Sequence, residues 1–211
     1  MTYFTPILFV GILSLVVGCA TYESKVRACA EAGEAEAEYQ LASMYWEGRA
    51  VHRDHTQALK WIQWAAEHGH REAQIRLAEL YERGKGISRD YVQAARMYAM
   101  GAERGDPESG IRLAQLYLKG QAVPQSDTEA RTLLERAAGK KAAEAQYLLG
   151  QLYWEGRGVP KDRVQAHKWF NLAEAQGHER AVTMRLLVAM EMDRDQIVEA
   201  QRLAIEQSKA Q

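Results

Sequence analysis

The sequence predicts an all-α fold, a solenoid of tandem helix–turn–helix repeats. Three observations predict it. A set of residue columns recurs every 36 residues, glycines and capping pairs stand at fixed places within each unit, and the composition favours helix over strand.

The columns are read directly. Tyr45, Tyr81, Tyr117 and Tyr153 recur at 36 residues without slippage. Leu41, Leu77, Leu113 and Leu149 precede them by four positions, and Gly48, Gly84, Gly120 and Gly156 follow by three. Val51, Ile87, Val123 and Val159 come next, then Ala58, Ala94, Ala130 and Ala166. With 211 residues, 47% of them hydrophobic and only four prolines, the chain can bury a core of packed helices.

From the N-terminus, the first 20 residues carry no charged side chain, and Ile7 to Val17 is an almost unbroken apolar run. That run is shorter than the roughly 20 residues of a membrane span. It suits the core of a secretory signal, although no Lys or Arg precedes it. The stretch Leu15-Val16-Val17-Gly18-Cys19-Ala20 resembles a bacterial lipoprotein signal. The resemblance implies a signal peptide over 1–18 and lipidation, including palmitate, at Cys19, so that acyl chains tether the protein to the envelope. By the sorting tendency of such lipoproteins, the resemblance with Ala20, rather than Asp, after the cysteine also implies the outer membrane facing the periplasm. An uncleaved anchor with Cys19 unmodified, or an unrelated apolar N-terminus, is the alternative. Residues 19–34 then form a linker and a cap helix, about 22–32, because Cys29, Ala30 and Gly33 fall in the register of Ala65, Ala66 and Gly69. Cys29 reads as a small buried residue without an intrachain partner.

Four repeats fill 35–178. The first helix of each spans about 35–47 and its equivalents, since Ala37, Leu41 and Tyr45 stand four apart and line one face. Gly48 and its equivalents end that helix with a left-handed cap. The second helix opens with a pair at capping-box spacing: Asp54 and Gln57, Asp90 and Gln93, Ser126 and Glu129, Asp162 and Gln165. It buries Ala58, Trp61 and Ala65, and Gly69, Gly105 and Gly177 stop it. In the third repeat Lys141 takes the glycine position and Gly139 lies two residues earlier, so a shortened or shifted helix end is expected there. Asp106-Pro107 opens the following helix with a cap and a first-turn proline. Ala42, Ala78, Ala114 and Gly150 share one column, where small side chains let helices approach closely.

Residues 179–211 read as capping helices. Ala181 starts a fifth first-helix, but Ala189 and Met192 replace the Tyr and Gly. A last helix, about 194–208, carries Ile197, Ala200, Leu203 and Ala204 on one face.

The pattern Leu-(Ala/Gly)-x-x-Tyr-x-x-Gly, then Val-x-x-Asp-x-x-x-Ala-x-x-Trp-x-x-x-Ala-Ala-x-x-Gly, resembles the Sel-one-like repeat, a relative of the tetratricopeptide repeat. It covers about 35–178 and fits best over Leu41 to Gly69 and Leu149 to Gly177. The resemblance implies a right-handed α-solenoid, a tetratricopeptide-like superhelix of antiparallel helix pairs. It also implies an adaptor that assembles protein complexes, often in bacterial envelopes. Some relatives bridge each helix pair with cysteines, a device this sequence lacks.

In such solenoids the first helices line the concave side. The rows off the Ala37–Leu41–Tyr45 stripe are Tyr39, Ile75, Ile111 and Tyr147; Ser43, Glu79, Gln115 and Gln151; Trp46, Glu82, Leu118 and Trp154; and Glu47, Arg83, Lys119 and Glu155. From these, Tyr39, Trp46, Ile75, Glu79, Glu82, Arg83, Ile111, Gln115, Leu118, Tyr147, Gln151 and Trp154 are the expected partner-binding residues. Apolar anchors bounded by polar rows suit an extended peptide or a partner helix. The competing expectation is that the tyrosines and tryptophans pack between repeats.

His52, His55, His68 and His70 cluster in sequence. The two pairs lie at opposite ends of one helix, about 20 Å apart at 1.5 Å per residue, so they cannot share a metal, and solvent-exposed side chains are expected. Gly84-Lys85-Gly86 and Gly156-Arg157-Gly158 follow helices with no strand before them, so they are turn glycines and not phosphate loops. No catalytic, metal or cofactor motif is present, and a net charge of −1 offers nothing to nucleic acid. The expectation is a non-enzymatic scaffold for a protein or peptide partner. The alternatives are a cell-wall hydrolase and a purely structural envelope stabiliser.

Overall fold

The computed structural model describes residues 22–121 and 123–210. The signal read over 1–18 and the lipidation expected at Cys19 lie outside the described residues. Regular structure among the described residues is helical throughout, in the order α1 (22–31), α2 (Ala35–Glu47), α3 (His55–Glu67), α4 (Arg71–Arg83), α5 (Tyr91–Glu103), α6 (Pro107–Lys119), α7 (Asp127–Ala138), α8 (Ala143–Glu155), α9 (Arg163–Ala175), α10 (Glu179–Ala189) and α11 (Arg194–Ala210). The architecture is an all-α solenoid of paired helix–turn–helix repeats. The chain divides into two compact units, one ending at Arg89 and the other beginning at Asp90. α2 pairs with α3 and α3 with α4 in the first; α6 with α7 and α8 with α9 are the tight hairpins of the second.

Each hairpin turns where the chemistry requires it. Gly48 takes φ 72° and its N–H returns to Met44 O; Gly156 takes φ 75° and its N–H returns to Leu152 O. Left-handed backbone at these positions is costly for any residue with a Cβ. The next helix starts on its expected cap: Asp54 Oδ1 accepts from Gln57 N at 3.0 Å, and Asp162 Oδ1 from Gln165 N at 3.0 Å. The amide of the cap residue donates back to the tyrosine column, Asp54 N to Tyr45 O at 3.0 Å and Asp162 N to Tyr153 O at 2.9 Å. That bond closes the hairpin and uses the amide a reciprocal capping box would have taken.

One pair of residues was not legible as a column. Gln74 and Gln146 are buried, and each donates its side-chain N–H to the carbonyl eight residues earlier, Ala66 O at 2.9 Å and Ala138 O at 3.4 Å. They thereby add a second, side-chain donor to last-turn carbonyls that already accept from Gly69 N and Lys141 N. In the third repeat α7 has 12 residues where its counterparts have 13, so its end is shortened as expected. Lys141 nonetheless keeps the register of the missing glycine and adopts φ 59°. The Ala142 N–H returns to Ala137 O at 3.3 Å, as His70 N–H returns to Ala65 O.

The second unit centres on Leu134, Leu149, Leu152, Trp169 and Leu172, with Ala204 of α11 packed into the same cluster. A neighbouring cluster gathers Tyr147, Phe170, Ala173, Ala181 and Val188. Gly150 belongs here for a steric reason: a Cβ at this position would stand 2.6 Å from the Phe170 ring. No helix among the described residues is long and apolar enough to cross a membrane.

Candidate functional site

In the first unit α2 buries Ala37, Glu38, Leu41, Ala42 and Met44, which leaves Tyr39, Ser43, Trp46 and Glu47 on its flank. Ile75, Glu79 and Glu82, on α4, are likewise partly open, and Arg83 is exposed. A cleft of about 150 Å³ opens beside Tyr39, Ser43, Trp46, Glu47 and Arg76, with buried Ala42 and Ile62 at its base. The Arg76 guanidinium carbon lies 5.1 Å from the centre of the Trp46 ring, and its Nη1 is 3.5 Å from Glu79 Oε2. His55 meets Trp46 edge-on, with centroids 4.6 Å apart. The cleft therefore presents an aromatic wall, a cation held against it and an acidic rim, a surface suited to mixed apolar and charged side chains.

Tyr39 is fixed by a histidine. Its ring stacks on His70, with centroids 4.4 Å apart and planes inclined at 25°. His70 Nδ1 accepts from Ala73 N at 3.2 Å and caps α4, which leaves Nε2–H to donate to Glu36 Oε2 at 3.0 Å. Hydrogen bonds from Gln40 and His70 hold the Glu36 carboxyl below its ordinary range, and burial pushes the Tyr39 phenol up. The expectation of a solvent-exposed histidine fails at His70, because its ring is covered by Tyr39 and used as a cap. His68 remains half exposed, but its Nδ1 lies 2.8 Å from Glu38 Oε2 and so partners a buried carboxylate.

In the second unit the expected residues divide. Gln115, Leu118, Gln151 and Trp154 are partly open. Ile111 and Tyr147 are buried in the core clusters, so they are packing residues and not surface anchors. The reason at Tyr147 repeats the first unit: it stacks on His178, and Gln151 Nε2 donates to its hydroxyl at 3.2 Å. Lys161 Nζ sits 4.7 Å from the Trp154 ring centre. A second cleft, of about 240 Å³ between Leu133, Ala137 and Pro107, contains none of the expected residues. At its edge Arg136 Nη2 donates to Ala102 O at 3.1 Å and Lys140 to Gly105 O, which holds the end of α5.

Among the described residues no three His, Cys, Asp or Glu side chains converge as metal ligands. A hydrogen bond with Glu34 pushes the Cys29 thiol up, the opposite of what a reactive thiolate requires. Sequence reasoning missed Arg76 because only its position over Trp46, set by the rotation of α4 against α2, makes it part of the cleft.

The family model described as Sel1 repeat matches residues 35–70, 71–106, 107–140 and 143–178. The chain is similar to the crystal structure of a Sel1 repeat protein from Oxalobacter formigenes, at 27% identity over 92% of this chain and 80% of that one, with a TM-score of 0.69. It is also similar to a Sel1 repeat protein from Klebsiella pneumoniae subsp. pneumoniae, at 27% identity over 86% of this chain and 99% of that one, with a TM-score of 0.50. No curated protein matches the chain significantly.

Proposed function

The chain belongs to the Sel1 repeat family, a typically non-catalytic family whose fold is a protein–protein interaction module, and from that premise we propose that it is a scaffold that holds a partner protein by an extended segment laid along its first helices. The cleft between Tyr39, Trp46 and Arg76 is the observation that carries this reading. A partly open tryptophan with a guanidinium over its face, above a small apolar base, has the make-up of an interface anchor. Gln115, Leu118, Gln151 and Trp154 extend the same role in the second unit, while Glu79, Glu82 and Arg83 form the charged margin of the first. The Gly18-Cys19 junction supports a lipid anchor, and with it a place in the bacterial envelope at the outer membrane facing the periplasm.

The test is capture of the native partner from detergent-extracted envelopes, followed by binding of that purified partner. Replacing Trp46 and Trp154 together by alanine abolishes capture and weakens binding at least tenfold, each anchor contributing about 1–2 kcal/mol. Trp64→Ala, which removes an exposed tryptophan outside the cleft, leaves both unchanged. Undiminished binding by a folded double variant defeats the groove reading. Mass spectrometry of Cys19 tests the anchor separately, and an unmodified thiol in the soluble fraction removes it.

A further inference from the structure

Gly110 stands in the register of Glu38, Gln74 and Gln146. Those three side chains are buried, and the two glutamines send their amides to Ala66 O and Ala138 O, eight residues back. The carbonyl eight residues before Gly110 is Ala102 O. Glycine has no side chain to reach it, and Arg136 of α7 donates to it instead at 3.1 Å. Leu133 likewise stands in the column of the larger Trp61 and Trp169, both buried. Two side chains that other repeats bury are thus shortened in one hairpin, and the cleft of about 240 Å³ opens between them. A Cβ at Gly110 would meet only Leu133 O, at 3.8 Å, whereas one at Gly150 would strike the Phe170 ring. The place of the missing side chain at 110 is therefore open, while the place at 150 is filled.

We propose that this cleft binds a small free carboxylic acid, whose compact apolar group fills the place of the absent side chain and whose carboxylate is held by Arg136 and Lys140. Size and charge select that occupant. The cleft is smaller than the roughly 300–1,000 Å³ of sites for drug-sized ligands, so it takes a group about as large as one side chain. Ala102, Ala137, Leu133 and Pro107 give it apolar walls that favour hydrocarbon. Arg136 and Lys140 line it too, and both are exposed. Their contacts, to Ala102 O and Gly105 O, are with uncharged carbonyls, so both positive charges remain in place. A guanidinium and an ammonium each carry more N–H donors than one carbonyl uses, which leaves donors for a carboxylate. The carboxylate that lines the cleft, Asp106, is buried and already accepts from Ser109 N at 2.7 Å as the cap of α6. Neighbouring Glu108 and Glu135 are drawn to Arg112 and Arg131. The site shares no residue with the cleft at Trp46, so it stands independently of the scaffold reading.

Phenylacetate and 4-methylpentanoate are the probes, titrated into the full chain and followed by the methyl NMR signals of Leu133, Ala137 and Ala102. Saturable shifts with a dissociation constant of about 0.2–5 mM are expected for ligands of this size. The neutral amides of the same acids bind at least about tenfold more weakly. Arg136→Gln and Lys140→Gln each weaken the acids about threefold to tenfold and leave the amides unchanged. Gly110→Gln restores the residue of two other repeats, fills the cleft and abolishes binding in a chain that unfolds no earlier than the parent. Leu133→Trp closes the cleft from the opposite wall and serves if that variant does not fold. Absence of saturable shifts up to about 20 mM overturns the proposal. Equal binding of acid and amide, or undiminished binding in a folded chain carrying Gly110→Gln or Leu133→Trp, does so too. A peptide with an internal Leu-Glu pair that shifts these methyls when no free acid does also overturns it, and assigns the cleft to a protein partner.

Discussion

The imidazole of His178 stacks on the phenol of Tyr147, with ring centroids 4.2 Å apart and planes inclined at 16°, while its Nε2 sits 2.9 Å from Glu144 Oε2. Tyr39, His70 and Glu36 make the same arrangement three repeats earlier. In both units a residue from the loop before one first-helix is thus pinned to the flank of the preceding first-helix. The tyrosine loses its freedom as a surface anchor and becomes part of the joint between repeats.

A double-mutant cycle measures that joint. Tyr147→Ala and His178→Ala each destabilise the protein, and their coupling energy in urea unfolding is about 1 kcal/mol. Coupling near zero shows that the stack contributes no stability of its own.

Gly150 and Phe170 are a size-matched pair. Gly150→Ala forces the Phe170 ring to move and costs about 1–3 kcal/mol. The corresponding pair in the first repeat is Ala42 and Ile62, both buried. Adding Phe170→Ile therefore recovers most of the loss; a double variant no more stable than Gly150→Ala rules out this pairing.

Lys141 holds φ 59° without the freedom of glycine. Lys141→Gly relieves that strain, and the gain exceeds the extra entropy of the unfolded glycine by about 0.5 kcal/mol. A lowered midpoint in denaturant contradicts this.

His167 supplies a pH dependence. It is fully buried on α9, and neither ring nitrogen meets a hydrogen-bond partner. Burial, then the nearby Arg185, lowers its pKa from the ordinary 6.5, with Glu174 opposing; Arg185 and Glu174 themselves pair at 2.5 Å. The unfolded chain therefore takes up a proton first as pH falls, and stability declines below about pH 6.5, by up to about 1.4 kcal/mol per pH unit. His167→Leu, which restores the residue of the first repeat at Leu59, flattens unfolding free energy between pH 7.5 and 5 and adds about 1 kcal/mol at neutral pH. An unchanged pH slope in the variant places the titration elsewhere.

The hairpins were legible because their signals are local. Asp54, Asp162, Gly48 and Gly156 act within one turn of themselves, and 36-residue recurrence told their columns apart from chance. Arg76 and Glu38 were not legible. Arg76 acquires its place from a ring on another helix, and Glu38 is buried only because His68, thirty residues away, accompanies it. Ile111 and Tyr147 followed the correct row but met a covered flank, since a row specifies a direction on one helix and not what stands opposite.

The sequence alone determined which residues form each helix, where each helix stops and how the hairpins recur, because backbone hydrogen bonding, capping and left-handed turns are settled within a few residues. Tertiary structure decided which flanks stay open and which are covered: the cleft at Trp46 and the stacked tyrosine at Tyr147. Those outcomes depend on how neighbouring helices rotate, and packing of that kind balances contacts between residues far apart in the chain.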